Sequence, residues 1–367
     1  MINKLIIASA GSGKTTHLIN KAIEEPNQKI LITTFTEANE KEIKAKFISL
    51  VGCIPKNVTI ITWFSFLIRH GAKPYQGGIH EKKISGLILA EGRSGLKYKV
   101  RGRPVYFSED KEFERFYFNL DGRIYSDKLA KFVLKCDDYH YGAVIKRLTR
   151  VYDKIFVDEI QDLAGYDLEI LTRIFDADIE LTMVGDPRQG TYSTSNSAKN
   201  KKFARSLIVE FFELHKEKLE IDDVSFKINH RCSEEICTIS NALYPEFEPA
   251  VSGNDTKTGH DGIFLIRPED VGAYVDKFSV VQLRYDKRTK VVDFMPVFNY
   301  GGAKGLTFKR TLLYPSSPLI TWLKNNNAEL ALTSRAKLYV ALTRAEQSVA
   351  IVQKYDKKLS EIFTYYE

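Results

Sequence analysis

Apolar and β-branched residues in the first part of the chain form short blocks, each followed by a stretch in which they recur every three to four positions. "KLIIAS" (4–9) is the first block, and in "GKTTHLINKAIEE" the residues Leu18, Ile19, Ala22 and Ile23 share one side of a helix. The alternation continues with "KILITTF" (29–35) as strand, "EANEKEIKAKFISLV" (37–51) as helix, "NVTIIT" (57–62) as strand and "WFSFLIRHG" (63–71) as helix. Strands separated by helices predict a parallel sheet with right-handed crossovers. From about residue 72 to 130 the pattern gives way to a Gly-, Lys- and Arg-rich stretch, then resumes at "DKIFVDE" (153–159) and "IELTMVGD" (179–186). That stretch reads as an insertion into the first α/β domain.

"NSAKNKKFARS" (196–206) is polar and basic without core periodicity, which predicts a surface loop or a short exposed helix. A second alternation follows: "DVSFKI" (223–228), "SEEICTISNALY" (233–244), "GIFLI" (262–266), "FSVVQL" (278–283), "RTLLYP" (310–315), "SRAKLYVALTRA" (334–345) and "SVAIVQ" (348–353). The chain therefore reads as two tandem α/β domains, 1–222 and 223–367. Its 367 residues, 44% of them hydrophobic, exceed what one core usually supports.

Charge and cysteine content narrow the setting. The formal net charge of +7 is modest, but residues 73 to 103 carry eight Lys/Arg (Lys73, Lys82, Lys83, Arg93, Lys97, Lys99, Arg101, Arg103) against Glu81 and Glu91. Either a solvated charged face or a phosphate-contacting surface accounts for this cluster. Cys53, Cys136, Cys232 and Cys237 have no spacing that completes a zinc site, and reduced thiols are expected. "LIIASA" is too short for a membrane span and lacks a signal-peptide pattern, so a cytoplasmic protein without a membrane partner is expected.

The candidate chemistry starts at "ASAGSGKTTHL" (8–18), where Ala10, Gly11, Ser12 and Gly13 precede Lys14 and Thr15 between a strand and a helix. Small residues there let backbone N–H groups and the helix N-terminus face a phosphate without Cβ obstruction. Lys14 would neutralise the β- and γ-phosphates of ATP, and Thr15 would ligate Mg2+. Ala8 stands where the strict phosphate-loop pattern has glycine, a change in spelling that leaves the geometry available. In "IFVDEIQD" (155–162) a buried strand delivers Asp158 and Glu159 to its C-terminal end, the usual ligand position in an open α/β sheet. Asp158 suits the magnesium-holding role and Glu159 the polarisation of an attacking water.

Together these segments resemble the Walker elements of the UvrD/Rep-like superfamily 1 DNA helicases. "VDEIQD" and "VGDPRQGTY" (184–192) are similar to motifs II and III, "TTFTEANEKEI" (33–43) to motif Ia, and "TWFS" (62–65) to motif Ib. "NHRCSEEI" (229–236), "GGAKGLTF" (301–308) and "YVALTRA" (339–345) are similar to motifs IV, V and VI. The resemblance implies two RecA-like P-loop NTPase domains with a short basic insertion in the first. It further implies a DNA-dependent ATPase moving 3′ to 5′ on single-stranded DNA. Gln189 would sense the γ-phosphate, Arg231 and Arg344 would reach it, and Thr16, His230 and Gly305 would lie against the nucleotide. Single-stranded DNA would meet Thr34, Phe35, Thr62, Trp63, Phe64 and Tyr192, with aromatic rings stacking on bases without reading them. For Phe35 and Phe64, core packing competes with that role.

Several positions depart from the family. The first strand starts close to Met1, so no counterpart of the glutamine-bearing segment that reads adenine is expected, and Thr16 replaces an arginine, His230 a tyrosine and Thr307 a glutamate. Weaker base selectivity is the expectation. Residues 237 to 300 leave no room for the extra domain, often called 2B, that UvrD-type enzymes carry there, so a compact motor that unwinds poorly without a partner is expected. An alternative function is a DNA-sensing ATPase subunit that regulates a partner nuclease in an antiviral defence or DNA repair complex. A small-molecule P-loop kinase would leave motifs V and VI unused.

Overall fold

A computed structural model describes residues 3–366 and divides them into two compact units. One comprises the chain through Ile6, Thr15–Gly185 and Ser193–Asp222; the other comprises Ile7–Lys14, Asp186–Tyr192 and Asp223 onward. The phosphate loop and the segment after "VG" thus group with the C-terminal part of the chain.

The first unit is built on a six-stranded sheet. Its order is Leu219–Asp222, Asn3–Ile7, Glu180–Gly185, Lys154–Val157, Ile30–Thr34 and Val58–Thr62. Strand Ile30–Thr34 runs parallel to both Val58–Thr62 and Lys154–Val157, and its last residue Thr34 lies opposite Thr62. Buried β-branched and aliphatic residues fill these strands, as expected of a sheet covered on both faces. The helix Glu37–Val51 has the predicted limits because Thr36 accepts a capping hydrogen bond from the Asn39 N–H and Gly52 closes it in a left-handed conformation. "WFSFLIRHG" begins as an α-turn at Trp63–Phe66 and continues as a π-helix over Leu67–Ala72, a wider winding than the spacing predicts.

Within residues 72 to 130 lie two small sheets, Gly86–Ile88 paired with Arg123–Tyr125 and the antiparallel ribbon Leu96–Val100 with Arg103–Tyr106. The helices Ser126–Tyr139, Ala143–Val151 and Tyr166–Phe175 follow, each with a buried apolar stripe. The polar segment 196–206 forms two 3₁₀ turns whose Phe203 and Ser206 are buried, so it is anchored rather than wholly exposed.

The second unit has its own six-stranded sheet, in the order Val297–Asn299, Val281–Arg284, Phe308–Tyr314, Ala345–Val352, Gly262–Ile266 and Thr364–Tyr365. All its pairs are parallel. Leu265, Leu283, Leu313, Ile351 and the fully buried Tyr300 and Tyr339 anchor the core. "DVSFKI" differs from expectation: only Ile228–Asn229 is strand. The Phe226 carbonyl accepts instead from the backbone N–H and hydroxyl of Ser9, so this segment spends its hydrogen bonding on the phosphate loop. All four cysteines are free thiols. Among the described residues, no helix is long and apolar enough to cross a membrane.

Candidate nucleotide and nucleic-acid sites

In the first unit Thr15 sits in the first turn of the helix Lys14–Glu24, and its hydroxyl donates to Oδ2 of Asp158 at 2.8 Å. Asp158 is 3% exposed at the end of strand Lys154–Val157, and its Oδ1 accepts the Glu159 N–H at 2.9 Å. A hydroxyl and a carboxylate held together are the hard oxygen donors that a magnesium ion takes. Glu159 has φ 59, a left-handed conformation unusual for a side chain of this size. That turn brings its carboxylate onto the Gln161 amide, from which it accepts a short hydrogen bond. A side chain at Gly185 would collide with the Gln161 amide oxygen, so the neighbouring strand must end in glycine.

In the second unit the loop Ile7–Lys14 is fixed by backbone contacts. Gly11 and Gly13 have φ of +67 and +83, and a Cβ on Gly11 would lie 2.5 Å from the Asn229 amide oxygen. The Gly11 carbonyl accepts from the His230 N–H at 3.1 Å, and Ser12 Oγ donates to the Ser9 carbonyl at 2.9 Å. Ala10 N–H donates to the Tyr339 hydroxyl at 3.5 Å. Asn229 in turn accepts from the backbone of Arg231 and Cys232, shaping the turn that carries His230 and Arg231. His230 and Gly305 are exposed, and Thr16 is half-buried.

Asp186 organises the rest of this unit. It is fully buried, and its Oδ1 accepts Arg188 Nε at 2.7 Å while Oδ2 accepts Gln189 Nε2 at 2.9 Å. The Gln189 carbonyl oxygen accepts from Arg344 Nη2 at 3.2 Å. Arg344 is 1% exposed and also donates to the carbonyls of Val340 and Leu306. Arg231 donates to the Thr343 carbonyl at 3.2 Å. Burial opposes the charge of Arg188, but the Asp186 carboxylate beside it holds its pKa above the ordinary value. From there Arg188 donates to the Ala8 carbonyl at 3.2 Å and to that of Glu248 at 3.3 Å. A buried chain of polar groups therefore runs from the phosphate-loop backbone through Arg188, Asp186 and Gln189 to Arg344. Sequence reasoning missed Asp186, Arg188 and Tyr339. The readable signal was Asp186 at the end of a buried strand, the same signal that singles out Asp158.

Of the residues expected to meet a single strand, Thr34, Phe35, Thr62, Trp63 and Phe64 gather at the ends of two adjacent strands of the first unit. Thr62 caps the following turn through the Ser65 N–H. Phe35 is half-buried and packs edge-on to Phe64 with centroids 5.8 Å apart. Trp63 requires a correction: it is 1% exposed and donates through Nε1 to Asp167 at 2.6 Å, so its ring is core and offers no face to a base. Tyr192, in the second unit, is 38% exposed, donates to the Gly301 carbonyl at 3.1 Å and has Lys304 Nζ 5.7 Å from its ring centroid.

Comparison with known proteins places these features in a family. The viral superfamily 1 RNA helicase core domain matches residues 124–353, and an AAA domain matches residues 2–195. The chain is 27% identical over 235 residues to F-box DNA helicase 1 of Gallus gallus, covering 51% of this chain and 22% of that protein. It is 26% identical over 288 residues to a probable DNA helicase II homolog of Mycoplasma capricolum, covering 65% and 38%. It is 24% identical over 350 residues to Gabija protein GajB of Bacillus cereus, covering 88% and 64%. The chain thus spans less than two thirds of the length of each of these relatives. Among solved structures it is similar to Arterivirus nonstructural protein 10 (helicase), with a TM-score of 0.45 and 16% identity over 98% of this chain and 62% of that one.

Proposed function

This chain belongs to the superfamily 1 helicases, and we propose that it hydrolyses ATP with Mg2+ to move 3′ to 5′ along single-stranded DNA. The observation that carries this reading is Gln189, held between the Asp186 carboxylate and the Arg344 guanidinium. A glutamine so placed exchanges one hydrogen bond when a phosphate arrives, and the arginine beside it responds.

In this reading Ala10, Gly11, Ser12, Gly13 and Lys14 hold the phosphates, with Thr16, His230 and Gly305 against the rest of the nucleotide. Thr15 and Asp158 hold magnesium, which when bound would neutralise phosphate charge. Glu159, aimed by its left-handed backbone, orients and deprotonates water. Arg231 and Arg344 stabilise charge developing on the γ-phosphate. Phe35, Thr62, Phe64 and Tyr192 contact the strand; Trp63 and Thr34, each 1% exposed, support them from the core. The two domains of the motor correspond to residues 1–222 and 223–367, apart from the loop and motif III segments that group with the second.

The test is phosphate release with single-stranded DNA, with RNA and with neither. Stimulation that rises with DNA length supports translocation; no stimulation by DNA overturns it. A second reading is a DNA-sensing ATPase that regulates a partner nuclease. What favours it is that the likeness to a protein named for Gabija, rather than as a helicase, runs over 88% of the chain. Stimulation independent of strand length supports that reading instead.

A further inference from the structure

The helix Ser126–Tyr139, the insertion and the segment after Thr194 enclose a cavity of about 320 Å³ within the first unit. Arg93, Lys128, Lys131 and Lys201 line it from three segments, Lys128 and Lys131 sharing one helix, together with the rings of Phe116 and Tyr166. Lys131 is neutralised by a short ion pair with Glu109. The other three are not: Lys128 Nζ donates to the carbonyls of Ser94 at 3.1 Å and Phe116 at 2.7 Å, and lies 4.1 Å from the Phe116 ring centroid.

The nearest lining carboxylate, Asp127, already accepts from the Ser94 N–H and hydroxyl. Burial draws Lys128 down to about 8, the mark of an ammonium whose charge is not fully compensated. Its placement depends on Gly95, where a Cβ would lie 2.7 Å from Nζ. Arg93 and Lys201 are exposed where they line the cleft, and among the described residues neither forms an ion pair. Arg93 stacks 4.3 Å from the Tyr106 ring centroid at the base of the ribbon, whose Lys99, Arg101 and Arg103 are all exposed. Cations gathered over aromatic rings in a nucleotide-sized cleft suit a phosphodiester strand, whose phosphates take the ammonium and guanidinium groups while sugar or base covers the rings.

We infer that this cleft is a second nucleic-acid site, in which Arg93, Lys128 and Lys201 hold the phosphates of a single strand and Phe116 and Tyr166 receive one of its nucleotides. The inference rests on the proposed binding of single-stranded DNA but concerns residues outside every helicase motif.

The experiment measures binding of a fluorescent single-stranded oligonucleotide to the full chain over a range of salt concentrations. An Arg93→Gln/Lys201→Gln variant changes only exposed side chains, so its ATPase without nucleic acid stays at the wild-type rate. Two lost phosphate contacts reduce the slope of log K against log salt by about 1.4, at roughly 0.7 per contact on a single strand. A Lys56→Gln/Lys216→Gln variant, with two exposed lysines outside the cleft, keeps the wild-type slope. An unchanged slope in the cleft variant, or an equal fall in the control, overturns the second site alone. Absence of wild-type binding overturns both this site and the proposed function.

Discussion

Arg344 Nη2 donates to Oε1 of Gln189 at 3.2 Å, in a setting where both side chains are almost entirely buried. The glutamine amide is oriented at its other end by Asp186, so it has one rotamer that satisfies both partners. Arg344→Lys keeps a positive charge but loses the fork that serves Val340, Leu306 and Gln189 together. Turnover is expected to fall about a thousand-fold, as for loss of an arginine finger. Gln189→Ala is expected to cost about a hundred-fold, the scale of one preorganised donor. Single-turnover ATP hydrolysis, with circular dichroism to confirm folding, checks both; near wild-type rates would remove this pair from the chemistry.

Lys14 heads the helix whose N-terminus faces the loop. Lys14→Ala leaves the backbone cradle of Gly11 and Gly13 in place, so the fold is expected to persist while phosphate release drops to background. An unchanged ATPase rate would defeat the assignment of this loop.

The Thr15–Asp158 contact makes a more specific prediction. Thr15→Ala removes a hydroxyl 2.8 Å from the carboxylate, and the magnesium concentration for half-maximal turnover is expected to rise about ten- to hundred-fold. Thr15→Ser retains the oxygen and should restore the wild-type requirement. If serine fails to rescue, the role of Thr15 is packing.

Elements with local signals were legible in the sequence, and sites closed by distant residues were not. Glu37–Val51 and Gly262–Ile266 carry their own caps, turns and periodicity, and both occur at the expected limits. "DVSFKI" has the composition of a strand, yet its hydrogen bonds go to Ser9, more than two hundred residues earlier. Arg188 reaches Ala8 across a similar separation, and no local pattern reports that contact. Trp63 shows the limit most plainly: an aromatic residue at a strand-to-helix junction looks the same whether it stacks on a base or packs. Only the partner Asp167 distinguishes the two.

That pair gives a pH-dependent prediction. Burial raises Asp167 to about 6, against an ordinary 3.8, even though Trp63 and Thr194 donate to it. The folded protein therefore takes up a proton as pH falls through about 6, which the unfolded chain does only near 3.8. This group thus adds stability as pH falls through that window and withdraws it as pH rises. Trp63→Phe removes a donor to the ionised form, so the loss of about 1–3 kcal/mol is expected at pH 8 and should shrink towards pH 5. Denaturant unfolding at the two values checks it; an equal loss at both would mean that packing of the indole, not its hydrogen bond, is what matters.

Tyr192 is the contrasting aromatic. Its ring is partly exposed beside Lys304, and its hydroxyl is tied to the Gly301 carbonyl, which fixes the plane of the ring without covering it. A preset face of this kind loses little entropy when a base stacks on it. Tyr192→Ala is expected to weaken single-stranded DNA binding by about 1–3 kcal/mol whatever the base composition, while Tyr192→Phe, which keeps the ring, weakens it much less. Anisotropy titrations with homopolymeric strands separate the outcomes. If alanine and phenylalanine lose affinity equally, the hydroxyl's hold on Gly301 is what positions the strand, and stacking on this ring is excluded.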